Sequence, residues 1–461
     1  MKRTLTSTRP GGTELSRRDL MRWGAVTLGG ASMSAVLASC ARAPAAAVTR
    51  GAVDLSFWTH DEAYATFFSE ALPLAERATD FAYSLSVTRA GAADLVTKLL
   101  AQAIAGTGTP DVAGLEIGSF ARLLRGTIAT ELLEDLTPLA DEFGDDLIAA
   151  RKAPFTKDGA LYALDSDTPL TAYYYRADRF EELGLPLPAE AGTWEEFLAA
   201  VTPVSERDGV AFGAYSVGSD LGQVVQGFQL MLLQRGGNLF TADGDLSIET
   251  PEAEDALRVV TDAMRSGVFT TVTDYYGGSI QTALGDGRIL GIAMPSWYAS
   301  YGIKPNVPDQ AGLWRVAELP RFAGGGGRTA VGGGTGFAAL RDKPGTTAAV
   351  ELLRSAYLDP AQQVKRFQDM GYLPTLRSVY DAPEMQGLTD EFFGGQDVFA
   401  VYREIVDDVP DMYQSEDVTV LNTVLSGALL RAYRGDISPS EALATAAEDF
   451  HGQVQDTRSD G

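Results

Sequence analysis

Asp165, Ser166 and Asp167 stand together at the end of a strand-like run, just before Thr168-Pro169. Two carboxylates held about 5–9 Å apart across a glycosidic bond can hydrolyse it, so this pair is the one catalytic constellation on offer. Asp residues flanking Ser before Pro also make turns, and among 62 acidic residues some close pairs arise by chance. Other chemistries lack their parts. A nucleophile would need His60 or His451 as its base, 391 positions apart, and no Gly-x-Ser-x-Gly stands in the chain. One cysteine permits no internal disulfide and no thiolate cage, and no short His motif exists, so neither a metal nor a cofactor is expected. The glycine clusters Gly324–Gly327 and Gly332–Gly336 are not followed by Gly-Lys-Ser/Thr, so they read as turns or close backbone approaches rather than phosphate loops.

The aromatic residues carry more information. Trp58 and His60 end the first strand-like run, where open α/β sheets bind ligands. Trp297 follows a buried run and a proline, Tyr173–Tyr175 is a triple tyrosine, and Tyr275-Tyr276 and Tyr372 lie in loop-like stretches. Aromatic faces at strand ends suit stacking on the flat apolar face of a sugar, with carboxylates and backbone groups taking its hydroxyls. Core packing is the alternative role for each. Trp194, at the first turn of a capped helix, and Trp314, at a strand start, read as core.

Residues 1–39 form an address. Lys2, Arg3, Arg9, Arg17, Arg18 and Arg22 lead into a weakly apolar stretch too short to span a bilayer. Ser16-Arg17-Arg18-Asp19-Leu20-Met21 resembles the twin-arginine export signal, and Leu37-Ala38-Ser39-Cys40 resembles a lipobox, which makes Cys40 the lipidation site. Residues 40–52 then read as the lipidated Cys and a flexible tether. The leader carries six basic and two acidic residues, so its removal takes the net charge from −25 to −29. That charge repels phosphate, and nucleic acid is excluded as a partner. The only expected membrane contact is through the lipid anchor, on the outer face of the cytoplasmic membrane.

Strand-like and helix-like segments alternate along the rest, the pattern of parallel sheets wound with helices. Strands are expected at 53–58, 81–87, 110–115, 161–164, 171–175, 289–294, 314–319 and 336–340. Thr193-Trp194-Glu195-Glu196 and Ser438-Pro439-Ser440-Glu441 are capping boxes, and Thr250-Pro251 starts another helix.

Placed in order, these pieces resemble the extracellular solute-binding proteins of ATP-driven sugar importers, the broad family that includes maltose-binding protein. The opening strand Val53–His60, the Tyr162–Phe180 segment, Gly184–Phe197 with its Thr193-Trp194, Gly287–Trp297, Gly332–Leu340 and Gly371–Pro374 carry the resemblance across nearly the whole mature chain. Arg176 stands where the family often has Asn. The resemblance implies a binding protein rather than an enzyme, and a monomer. Its fold is α/β, two-lobed and periplasmic-binding-protein-like, with an interlobe cleft and several hinge crossovers. Lobe 1 would be 53–168 plus 312–360, and lobe 2 would be 169–311 plus 361–458. The closed form would deliver a mono- or oligosaccharide to a membrane permease.

Carried over residue by residue, Trp58, Asp167 and Trp297 are the first-ranked ligand contacts. His60, Asp111, Glu116, Tyr173, Gly333 and Tyr372 come next. Asp111 reads equally as a turn cap, Glu116 as a loop charge, and Arg377 as either a hydroxyl partner or a surface charge. Other readings remain open: a polyamine, which would want more carboxylates in the cleft, a glycerol phosphoester, which would want Arg or Lys there, and a glycoside hydrolase using Asp165 and Asp167.

Overall fold

The computed structural model describes residues 46–459. The leader and Cys40 lie outside the described residues, as does the tether up to Ala45. The expected tether runs to Ala52, yet the chain is already docked at Val48, whose amide donates to the Pro344 carbonyl (2.8 Å), and strand structure begins at Gly51.

The first sheet has the strand order 81–89, 51–59, 112–116, 335–339, 164–165. Its alternating Leu55 and Phe57 are fully buried, as are Leu95 and Leu99 from the covering helix Ala92–Ala105. The first three strands are parallel, as the strand–helix alternation implies. Thr335–Ala339 runs antiparallel to both of its neighbours. This strand enters from the hinge rather than from a covering helix, so no right-handed crossover fixes its direction.

The second sheet is antiparallel and has Thr171–Arg176 in its centre, between Gly291–Pro295 and Trp314–Ala317. The triple tyrosine is explained here. Tyr174 packs into the core that continues from the first lobe, and its hydroxyl meets that of Tyr402 at 2.7 Å. Tyr173 and Tyr175 point the other way, into the core of the second lobe. The strand is buried on both faces, and the period-2 alternation sorts its side chains between two cores.

The second core is built largely from the helices Trp194–Asp208, Leu221–Arg235, Pro251–Arg265, Val418–Tyr433 and Pro439–Ser459. The capping box at Thr193 is made in full: the Glu196 amide donates to Thr193 Oγ1 (3.2 Å) and the Thr193 amide to Glu196 Oε2 (3.0 Å). Trp194 and Trp314 are wholly buried.

The lobe boundaries drawn from sequence do not coincide with the pairing. Trp314–Ala317 was assigned to lobe 1 but hydrogen-bonds to the central strand of the second sheet. Residues 361–370, expected in lobe 2, belong to the helix Pro360–Met370, which packs on the first lobe's helix Glu62–Ala78, where Lys365 pairs with Glu70 at 3.1 Å. The chain returns to the first lobe at about 330–335, passes the hinge again at 373–374, and is still bonded to the first lobe at Ser378, whose amide donates to Asp146 Oδ1 (2.7 Å). Three crossovers therefore lie side by side. Leu170 bridges to Val331, and Thr168 donates from its amide to Leu373 O (3.1 Å) and from Oγ1 to Pro374 O (2.7 Å).

Trp194 donates to Gln234 Oε1 (2.9 Å), and Gln234 Nε2 donates to Pro320 O (2.7 Å), all within the second core. Replacing Gln234 by Leu orphans both partners. Urea unfolding should show a loss of about 1–3 kcal/mol, the cost of leaving buried polar groups unpaired; an unchanged midpoint would show that the indole N–H is not confined there.

Candidate functional site

A cavity of about 590 Å³ opens between the lobes, a volume typical of small-molecule sites. From the first lobe it is lined by His60, Asp61, Tyr64 and the turn at Glu116–Gly118. The crossovers supply Asp167 and Gly332–Thr335, and the second lobe supplies Tyr276, Trp297, Tyr301 and the N-terminal half of the helix Leu221–Arg235.

Gly332–Gly334 lets the backbone run against Trp297. Trp297 Nε1 donates to Gly332 O at 2.8 Å, and Gly333 has φ +83°. A Cβ on Gly332 would come within 2.8 Å of Leu230 and Pro295. The indole is half-buried and lies 6.1 Å from the Tyr276 ring, tilted by 33°, so two aromatic faces adjoin on one wall. Tyr372 stacks on Tyr301 (6.4 Å, 12°), and their hydroxyls are 2.8 Å apart.

Four carboxylates line the cavity, and three of them are committed. Asp61 caps the helix Glu62–Ala78 through the Ala63 amide (2.8 Å) and accepts from Tyr301 Oη (2.9 Å). Glu116 accepts from the amides of Gly118 and Ser119 at 3.0 and 3.2 Å, and burial raises its pKa against those bonds. Asp220 caps the helix Leu221–Arg235 through the Gln223 amide (3.3 Å). Asp167 differs. One of its oxygens accepts from Ser166 Oγ (2.6 Å), while Oδ2 is buried with no hydrogen-bond partner. Burial pushes its pKa up, opposed by the Ser166 bond and by Arg151 and Arg366. His60 Nδ1 and Gln414 Oε1 are likewise buried without a partner, and burial lowers the His60 pKa. Among the described residues no Lys or Arg lines the cavity, and no group of three His, Cys, Asp or Glu could hold a metal.

Of the ligand contacts expected from sequence, His60, Glu116, Asp167, Trp297, Gly333 and Tyr372 line this cavity, and four do not. Trp58 is buried with Lys98 Nζ 4.1 Å over its ring, because its side chain leaves the strand on the face covered by the helix Ala92–Ala105. Asp111 accepts from the Ser56 amide (2.9 Å) and Oγ (2.6 Å) on the neighbouring strand Gly51–Thr59, so its carboxylate caps no turn after Pro110. Tyr173 is buried in the second core and donates to Phe212 O. Arg377 is ion-paired to Asp407 at the surface. The carboxylates of Asp165 and Asp167 do not flank the cavity as a pair, since Asp165 is fully buried against Arg151 outside its lining.

Sequence reasoning missed the amides. Gln223, Gln226 and Gln229 recur every third residue, and Gln414 and Asn422 flank the start of the helix Val418–Tyr433. The spacing at 223, 226 and 229 was a readable signal of one polar helix face. Tyr64 and Tyr301 were missed as well.

Two polar contacts span the cavity's rims. Tyr301 Oη reaches Asp61, as above, and Arg125 of the first lobe pairs with Asp417 (2.8 Å) at the start of the helix Val418–Tyr433.

Comparison with known proteins adds the family. Residues 73–391 match the model of the bacterial extracellular solute-binding proteins. An arabinooligosaccharide-binding protein of Halalkalibacterium halodurans is 26% identical over 417 residues, covering 88% of this chain and 90% of its own. One from Bacillus subtilis is 26% identical over 431 residues, covering 90% and 95%. Among solved structures, the cyclic alpha-maltosyl-1,6-maltose binding protein of Arthrobacter globiformis superposes with a TM-score of 0.71 at 23% identity, covering 87% of this chain and 99% of that one. Two lobes, a cavity between them and a family match over well over half the chain converge: this chain belongs to the bacterial extracellular solute-binding proteins.

Proposed function

We propose that this protein captures a neutral oligosaccharide between its lobes and hands it to the transmembrane permease of an ATP-driven importer. The observation that carries the reading is one cavity combining adjoining aromatic faces, Tyr276 and Trp297, with buried, unpartnered polar atoms on His60, Asp167 and Gln414. A sugar offers what each lacks: an apolar ring face for the aromatics and hydroxyls that donate and accept for the rest. Similarity to binding proteins for arabinooligosaccharides and lactose supports the same ligand class. Family membership implies an exported protein. We further read residues 1–39 as its leader, Cys40 as its lipid anchor and the chain as a monomer.

The competing solutes fit less well. A phosphoester would want a cation, and none lines the cavity among the described residues. A polyamine would want free carboxylates, and three of the four are spent on helix caps and Tyr301. Hydrolysis is disfavoured by the placement of Asp165 behind the floor, and the family binds solutes.

Three outcomes are expected. In a melting screen of the mature chain, neutral arabino-, malto- and galacto-oligosaccharides at 100 times their dissociation constants should add about 2.7 kcal/mol. Uronates and spermidine should add nothing, and a shift with spermidine alone would replace the sugar reading. Trp297→Ala should weaken sugar binding by about 1.5–3 kcal/mol, roughly ten- to a hundredfold by titration calorimetry. Arg125→Ala should cost about 0.2–1 kcal/mol of affinity, because the arginine is half-exposed, and the difference should fade as salt rises.

A further inference from the structure

Arg151 is 2% exposed and lies outside the cavity lining. It ends the short turn Ala149–Arg151 in the first lobe, and its guanidinium reaches two of the crossovers. Nη2 pairs with the Asp165 carboxylate and donates to Gly333 O (3.2 Å), while Nε donates to Asp167 O (3.2 Å). The same crossovers are joined directly, by the Ser166 amide to Thr335 O (2.9 Å) and the Thr335 amide to Ser166 Oγ (3.1 Å). Gly334, at φ +128°, packs so closely that a Cβ would sit 2.7 Å from Arg151 Nη2 and 2.8 Å from Asp165 Oδ1.

Stability does not explain such a pair. Burying two charges costs several kcal/mol per ion before their attraction is counted, and apolar residues of similar volume often replace a buried pair without loss. What apolar residues cannot supply is aim. The two carbonyls that Arg151 holds belong to Asp167 and Gly333, both of which line the cavity. Its grip on Gly333 also fixes the neighbouring Gly332 carbonyl, which holds the Trp297 indole. Arg366 and Tyr357 lie near the same carboxylates, with the Arg366 guanidinium 4.7 Å over the Tyr357 ring and fully buried, so the charged cluster behind the floor contains two guanidiniums and two carboxylates.

We propose that Arg151, braced by Asp165, is a positioning residue for the ligand cavity: from behind the floor it sets the Asp167 carboxylate and the Gly332–Gly334 backbone against which Trp297 lies. This rests on reading the cavity as the ligand site, and it predicts a defect that lost stability alone would not produce.

The test uses the mature chain with R151K and with the apolar replacement R151M/D165L, read by urea unfolding, by amide hydrogen exchange and by calorimetry with arabinotriose and lactose. R151M/D165L should unfold near the wild-type urea midpoint. Exchange at the Ser166, Thr168 and Thr335 amides should nonetheless rise at least tenfold, with strands 51–59 and 112–116 unchanged, and affinity for the bound sugar should fall at least tenfold. If the double variant does not fold, R151K, which keeps the charge but not the fork, should show the same local exchange in an intact fold. Wild-type protection at the crossovers, or wild-type affinity in a stable double variant, overturns the proposal. If the wild-type chain binds no sugar, the ligand reading fails, and the exchange data still decide whether Arg151 holds the crossovers.

Discussion

Ser166 and Thr335 exchange two hydrogen bonds, and the rest of the structure is arranged around that exchange. It ties the segment leaving the first lobe to the segment returning to it, and Thr168 ties both to the third crossover at Leu373 and Pro374. A protein whose two cores share one hinge has to keep its crossovers in register, because a slip there would turn Asp167 away from the cavity and Ser166 into it. The glycines at 332–334 follow from the same crowding: indole, prolyl ring and guanidinium all approach the backbone there.

The fold was legible because its signals are local. Thr193 and Glu196 cap a helix in four residues, and the run from 289 to 294 announces the strand Gly291–Pro295, with Trp297 just beyond it. The direction of Thr335–Ala339 was not legible, since nothing in five residues says whether they enter from a helix or from a hinge. The boundary at 360 failed for a similar reason. Pro360–Met370 is an amphipathic helix whichever lobe receives its apolar face, and only tertiary contact shows that it sits beside Glu70.

The site was legible in part, and the failures share a cause. Trp58 lies near the end of one strand and Trp297 just beyond another, yet one indole turns under a lysine and the other into the cavity. A strand gives each residue one of two faces, and sequence position does not say which face looks across the cleft. Tyr173 and Tyr174 make the same point within one strand. The glutamines of the helix Leu221–Arg235 were overlooked because amides on a helix face usually meet water, and this helix presents them to the opposite lobe.

The two contacts beside the cavity, Tyr301 with Asp61 and Arg125 with Asp417, each have one exposed partner, Tyr301 and Arg125, that competes with solvent. Each is weak, worth about 1 kcal/mol or less. Clasps of that strength add little to holding the cavity's walls together, so a molecule that filled the space and touched both walls would outweigh them.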